Sequence, residues 1–135
     1  ILYIIYPKKK EVSLKYLLGI LNSSVINYYY HKLYSMVHIS GGYLRFFTPY
    51  VKQIPIRFNE SYKTKIIVLV EEIEDLYDKL SRIKDKQTDQ KAQLEKEIQK
   101  LDAEIDEEVY NLYGITEEEK KIIEGSLNRN GGHLL

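Results

Sequence analysis

Few side chains in this 135-residue sequence have the type and spacing to do chemistry, and most of those are cationic. Lys8, Lys9 and Lys10 form a basic run, and His38, Ser40, Gly41, Gly42, Tyr43, Arg45, Lys52 and Arg57 follow within one short stretch. Paired glycines let backbone amides come close to a phosphate, and they serve equally well as a plain hairpin turn. An arginine can grip a guanine edge through two parallel hydrogen bonds or touch a phosphate, and on a strand it can simply face water. Lysines add salt-sensitive attraction to a polyanion that is blind to sequence. The chemistry on offer is recognition of a phosphate-rich ligand rather than the making or breaking of bonds.

Catalytic patterns are missing from the sequence. It has no GxGxxG, phosphate-binding P-loop, GxSxG or HExxH. His31, His38 and His133 are not spaced with carboxylates as metal ligands, and there are no cysteines to serve as thiol nucleophiles, disulfides or zinc ligands. Glu71 and Glu72 could be taken for a paired-carboxylate site. Adjacent acids on a helix surface are far more often a solvated face, making i,i+4 pairs with lysines. The sequence alone therefore predicts no catalytic residue, no metal and no cofactor for this chain.

A total of 20 basic and 20 acidic residues gives zero net charge, which hides a partition. Residues 1–59 hold eight basic residues and only Glu11 as an acid, a charge of +7; residues 60–135 hold twelve basic and nineteen acidic residues, −7. Nine of the 13 tyrosines and all three phenylalanines also fall before residue 60. Salt screens charges beyond about 8–10 Å, so a positive surface attracts polyanions whatever a remote segment carries. Tyrosines interleaved with cations suit nucleic acid, although in so short a chain most rings must be core.

The elements that would position these residues follow from pattern. ILYIIY, residues 1–6, reads as a buried strand closed by Pro7 and the lysine run. Ser13 is placed to cap a helix over 13–21, with Leu14, Leu17, Leu18 and Leu21 on one apolar face. Asn22-Ser23-Ser24 interrupts it, and a second cap there can start a helix over 24–34, with Ile26, Tyr29, Tyr30 and Leu33 in the same spacing. YLRFF (43–47) reads as a strand, Thr48-Pro49 as the start of one helical turn, and QIPIRF (53–58) as an edge strand because of Pro55.

From residue 60 the period is helical. Ile66, Val70, Ile73, Tyr77 and Leu80 form one stripe, and Leu94, Ile98, Leu101, Ile105, Val109 and Leu112 form another. The polar stretch KDKQTDQ (84–90) separates them. One continuous helix over 60–113 would be ~80 Å long and would need another chain to cover its stripe, whereas a hairpin buries the stripe internally and is preferred. Thr88 or Asp89 would cap its second arm, Gly114 would end it, and Thr116 would cap a short last helix before a frayed tail.

The expected fold class is α+β, a small mixed module followed by a long antiparallel helical hairpin. Its divisions are a basic, aromatic-rich module over 1–59, a hairpin support over 60–115, and a short helix and tail over 116–135. The first residue is Ile rather than Met, which points to a fragment of a longer protein. No basic segment precedes an apolar run as in a signal peptide, and no run reaches the ~18 residues of a membrane span, so a cytoplasmic, membrane-free protein is expected.

Particular stretches resemble a known family. LLGILNSSVINYYYHKLYS (17–35), then SGGYLRFF, then YVKQIPIRF look like the TaqI-like C-terminal specificity domain. That domain belongs to adenine-specific DNA methyltransferases and fused type IIG restriction–modification enzymes. IDEEVYNLYGITEEEKKIIEG (105–125) is similar to the helix and tail that close such proteins, so the resemblance spans about residues 12–125.

The resemblance implies a target recognition domain that grips double-stranded DNA from one side. A separate catalytic domain of the parent chain, using S-adenosylmethionine, would flip and methylate an adenine. The Asn/Asp-Pro-Pro-Tyr/Phe motif of such a catalytic domain does not occur here. Base-reading residues of the family lie on variable loops, so Arg45 and Lys52 stand on the charge argument alone. Pro55 matches a position read as structural. A monomer is expected. The competing reading is a coiled-coil dimerisation module over 60–113 with no DNA partner.

Overall fold

The computed structural model describes residues 5–35, 48–83 and 88–130. They form six helices: α1 (Leu14–Leu21), α2 (Ser24–Ser35), α3 (Thr48–Val51), α4 (Glu60–Ser81), α5 (Thr88–Tyr113) and α6 (Glu117–Asn130). Helix accounts for 78% of the described residues and none of them is in a strand, which corrects the expected α+β class to all-α. The expected strand over 43–47 and the first four residues of that over 1–6 lie outside the described residues. Ile5 and Tyr6 are exposed, and neither is in a strand. QIPIRF is irregular, because its backbone finds partners in side chains rather than in a neighbouring strand.

Helices α4 and α5 are the two arms of a hairpin. Lys65, near the start of α4, pairs with Glu108, near the end of α5, so the arms run antiparallel. Helix α4 stops at Ser81, where the amides of Arg82 and Ile83 turn back onto the carbonyls of Lys79 and Leu80 at 3.2 Å each. One continuous helix is thereby excluded. Ile66, Leu69 and Val70 from α4 meet Ile105, Val109, Tyr110 and Leu112 from α5 in one core. Burying such side chains contributes about 1.5–3 kcal/mol each relative to exposure.

Helix α1 lies on α4. Ser13 caps it as expected, its hydroxyl accepting from the Tyr16 amide at 3.3 Å. The buried face is not the leucine stripe. Tyr16, Gly19 and Ile20 turn inward, while Leu14 and Leu18 remain 48% and 41% exposed. Gly19 decides this choice. A Cβ there would stand 2.7 Å from Ile66 Cγ2 and 3.1 Å from Val70 Cγ2, so glycine lets the α1 backbone sit this closely on those two α4 side chains. Tyr16 and Ile20, on the same side of α1 as that contact, are buried with it.

Helix α2 packs on α5, α6 and α3. Val25, Ile26 and Tyr30 are buried, and Tyr29 is half-buried. Its start is tied to α5: Asp106 accepts from the Ser24 amide at 2.8 Å and from the Ser24 hydroxyl at 2.5 Å. The buried polar groups beside it are satisfied locally, Ser23 Oγ donating to the Ile20 carbonyl at 2.6 Å and Asn27 Nδ2 to the Ser23 carbonyl at 2.7 Å. At the other end of α5, Gly114 adopts φ +67°, and the Ile115 amide reaches back to the Tyr110 carbonyl at 2.9 Å. Thr116 and Glu119 then cap α6 reciprocally, at 3.2 and 2.8 Å. Helix α6 runs further than the sequence pattern suggests, because Ile123 and Leu127 join the core.

Two measurements test this packing. Gly19→Ala gains about 1 kcal/mol of helix propensity, yet overpacking against two β-branched side chains costs about 1–3 kcal/mol. Its denaturation midpoint is expected to fall, and that of Gly19→Leu to fall further; a rise in both would show that α1 does not press on α4. Asp106→Ala removes a charged cap from α2 and is expected to cost about 2 kcal/mol in chemical denaturation.

Candidate nucleic-acid interface

The described cations expected to bind a polyanion lie on two segments. Lys8, Lys9 and Lys10 sit on an exposed bend immediately before α1, where the Val12 amide donates to the Lys9 carbonyl at 3.2 Å. Lys52 follows α3, and Arg57 lies in the connection to α4; both side chains are exposed. Lys8, Lys9, Lys10, Lys52 and Arg57 form no ion pair among the described residues.

The connection between α3 and α4 is held by tyrosine hydroxyls. Tyr29 donates to the Gln53 carbonyl at 3.3 Å, Tyr113 to the Pro55 carbonyl at 2.6 Å, and Tyr16 to the Arg57 carbonyl at 2.6 Å. The Arg57 amide donates back to the Tyr113 hydroxyl at 3.1 Å. Ile54 and Ile56 are half-buried against the core while Gln53, Pro55 and Arg57 face out, the alternation of an extended chain. The Phe58 ring lies 5.7 Å from that of Tyr16. Because Tyr16 belongs to the first turn of α1, this contact brings Arg57 and the lysine bend to the same end of that helix.

Other cations of the basic segment are engaged elsewhere. Lys15 bridges Glu71 and Glu74 of α4 at 3.2 Å each, and its hydrogen bonds to them raise its pKa. Lys32 lies 5.5 Å from the Tyr28 ring centre. The expected site residues His38, Ser40, Gly41, Gly42, Tyr43 and Arg45 lie outside the described residues, in the sequence joining α2 to α3. Lys120 of α6 bridges Glu107 and Glu117 at 2.8 and 2.9 Å, which raises its pKa. The rest of the acidic arm is mainly a solvated surface: Glu72, Asp75, Glu95 and Glu97 are all exposed.

Three positioning groups escaped the sequence reading. Asp106 looked like one more acid on a solvated face, and only the Asn22-Ser23-Ser24 break, read as holding a second cap, hinted at a partner. Tyr113 carried no signal, since its helix ends at Gly114 just beyond it. Tyr16 stood outside the leucine stripe. Among the described residues, no three His, Asp or Glu side chains gather in a way that could hold a metal ion, and no helix is long and apolar enough to cross a membrane.

The family model of the TaqI-like C-terminal specificity domain matches residues 1–56 of the 135, and this part of the chain is therefore similar to that domain. The match suggests DNA recognition in restriction–modification enzymes. It ends before α4, so the hairpin lies beyond it. No curated protein and no solved structure matches the chain.

Burial pushes the hydroxyls of Tyr16, Tyr110 and Tyr113 above the ordinary tyrosine value of 10.0. An acid whose folded pKa is raised holds its proton longer than the unfolded chain does, so its stabilising effect is complete below the unfolded pKa and fades as pH climbs toward the folded one. Lys15, Lys65 and Lys120, all raised by carboxylate partners, add in the same direction. The urea midpoint attributable to these groups is therefore expected to be level up to about pH 9 and to fall from about pH 10. Tyr113→Phe should make the fall shallower; a midpoint that rises through this range would contradict the assigned donors.

Proposed function

We propose that the chain is a DNA sequence-recognition part of a restriction–modification enzyme or adenine-specific DNA methyltransferase. It binds duplex DNA so that a separate catalytic domain, using S-adenosylmethionine, can methylate the target, with or without cleavage. The observation that carries this reading is the coincidence of the specificity-domain match with the basic, aromatic-rich segment. Within that segment and at its edge, the cations at the front of α1 and around α3 are exposed and outside ion pairs among the described residues, while Lys15 is spent on the acidic arm. The hairpin supplies a rigid back whose negative surface repels phosphate. The chain itself supplies grip and orientation, and bond chemistry belongs to the catalytic domain.

This reading expects micromolar-range binding to duplex DNA at low salt, weakening steeply between about 50 and 200 mM salt. Replacing both Lys52 and Arg57 with Ala should make the slope of log affinity against log salt shallower by about 2, with the helical content unchanged. Affinity that is flat across that salt range, or absent at the low end, would refute the proposal.

A further inference from the structure

Arg57 presents a free side chain on a backbone gripped from both sides. Its amide donates to the Tyr113 hydroxyl at 3.1 Å, and its carbonyl accepts from the Tyr16 hydroxyl at 2.6 Å. The same Tyr113 oxygen donates to the Pro55 carbonyl at 2.6 Å. One hydroxyl thus serves a carbonyl and the amide two residues later on one edge of the chain, as a neighbouring strand would in a sheet. Pro55 has no amide hydrogen of its own to offer. Tyr16 is fully buried in α1, and Tyr113 closes the last turn of α5. Hydroxyls from two helices, α1 and α5, therefore fix the backbone that carries one exposed guanidinium. Ile54 and Ile56 pack against the core from the same stretch, while Arg57 faces out.

We propose that Tyr113, a residue of the hairpin and outside the matched specificity segment, is a positioning residue for Arg57. With Tyr16, it sets the point from which the Arg57 guanidinium reaches a DNA phosphate. The conformational freedom of this backbone is lost on folding instead of on binding, which favours the complex. The proposal rests on the DNA-recognition reading above and extends it: the hairpin takes part in recognition by aiming a contact it does not make. A tyrosine that merely stabilised the fold would change the unfolding midpoint and leave the salt dependence of binding alone.

The test is a double-mutant cycle on the whole 135-residue chain. A labelled duplex of about two helical turns is titrated at several salt concentrations with the parent chain, Arg57→Ala, Tyr113→Phe and the double variant, and thermal midpoints are recorded alongside. Arg57→Ala is expected to make the salt slope shallower by about 1. Tyr113→Phe should shift the slope in the same sense and weaken binding about threefold. The double variant should bind like Arg57→Ala alone. Tyr16→Phe, which removes the other hydrogen bond, is expected to behave like Tyr113→Phe and stands in for it if that variant does not fold. A Tyr113→Phe chain with unchanged slope and affinity, or losses that multiply in the double variant, would overturn the proposal. Binding that is indifferent to Arg57→Ala would overturn it while leaving DNA recognition standing. No binding by the parent chain would remove both.

Discussion

The Asp106 carboxylate at the start of α2 is the interaction on which the rest of the arrangement depends. A helix start leaves amides without intrahelical partners, and a positive end of the helix dipole with them. Here that end is partly buried against α5, where water is scarce and an unmet amide would cost about 1–3 kcal/mol. Asp106 meets the Ser24 amide and hydroxyl together. The bond spans from the basic segment to the hairpin, so it sets where α2 sits along α5. From that seat follow the burial of Ile26 and Tyr30, the reach of Tyr29 to Gln53 and the packing of α6 across α2.

Charge is distributed to match. Lys15 is the cation of the basic segment that faces α4, and two carboxylates hold it there. The lysine bend, Lys52 and Arg57 point elsewhere and keep their charge for another partner. Exposed single ion pairs contribute little to stability, so the value of the Lys15 contact is orientational: it helps turn the acidic arm toward the inner face of α1. A chain of zero net charge thus leaves the lysine bend, Lys52 and Arg57 outside ion pairs among the described residues while acids line the exposed faces of α4 and α5, and a polyanion within a Debye length meets one sign or the other.

How much of this could be read in advance depended on whether the signal was local. Helix starts were legible because caps are local: Ser13 and Thr116 are where the spacing put them, and Gly114 ends α5 with positive φ. The hairpin was legible because two apolar stripes were separated by a polar stretch. The buried side of α1 was not, because Gly19 selects it through a contact with Ile66, a residue 47 positions later. The strand expected at QIPIRF failed for a related reason. Alternating isoleucines and Pro55 fit an edge strand, and nothing nearby tells that Tyr16 and Tyr113 would supply the hydrogen bonds a sheet would have given. The candidate site was legible as a charge imbalance and a family pattern, while the tyrosines that aim Arg57 came only from the fold.

The central claim is that one end of the molecule meets DNA while the hairpin holds it in place from behind. Backbone amide chemical shifts recorded on the isotope-labelled chain, as duplex DNA is added at low salt, test it most directly. The shifts are expected to concentrate in residues 8–12 and 48–58, with the far ends of α4 and α5, around Tyr77 and Glu95, unmoved. Shifts spread along the acidic faces of the hairpin, or none in the segment carrying Lys52 and Arg57, would contradict it.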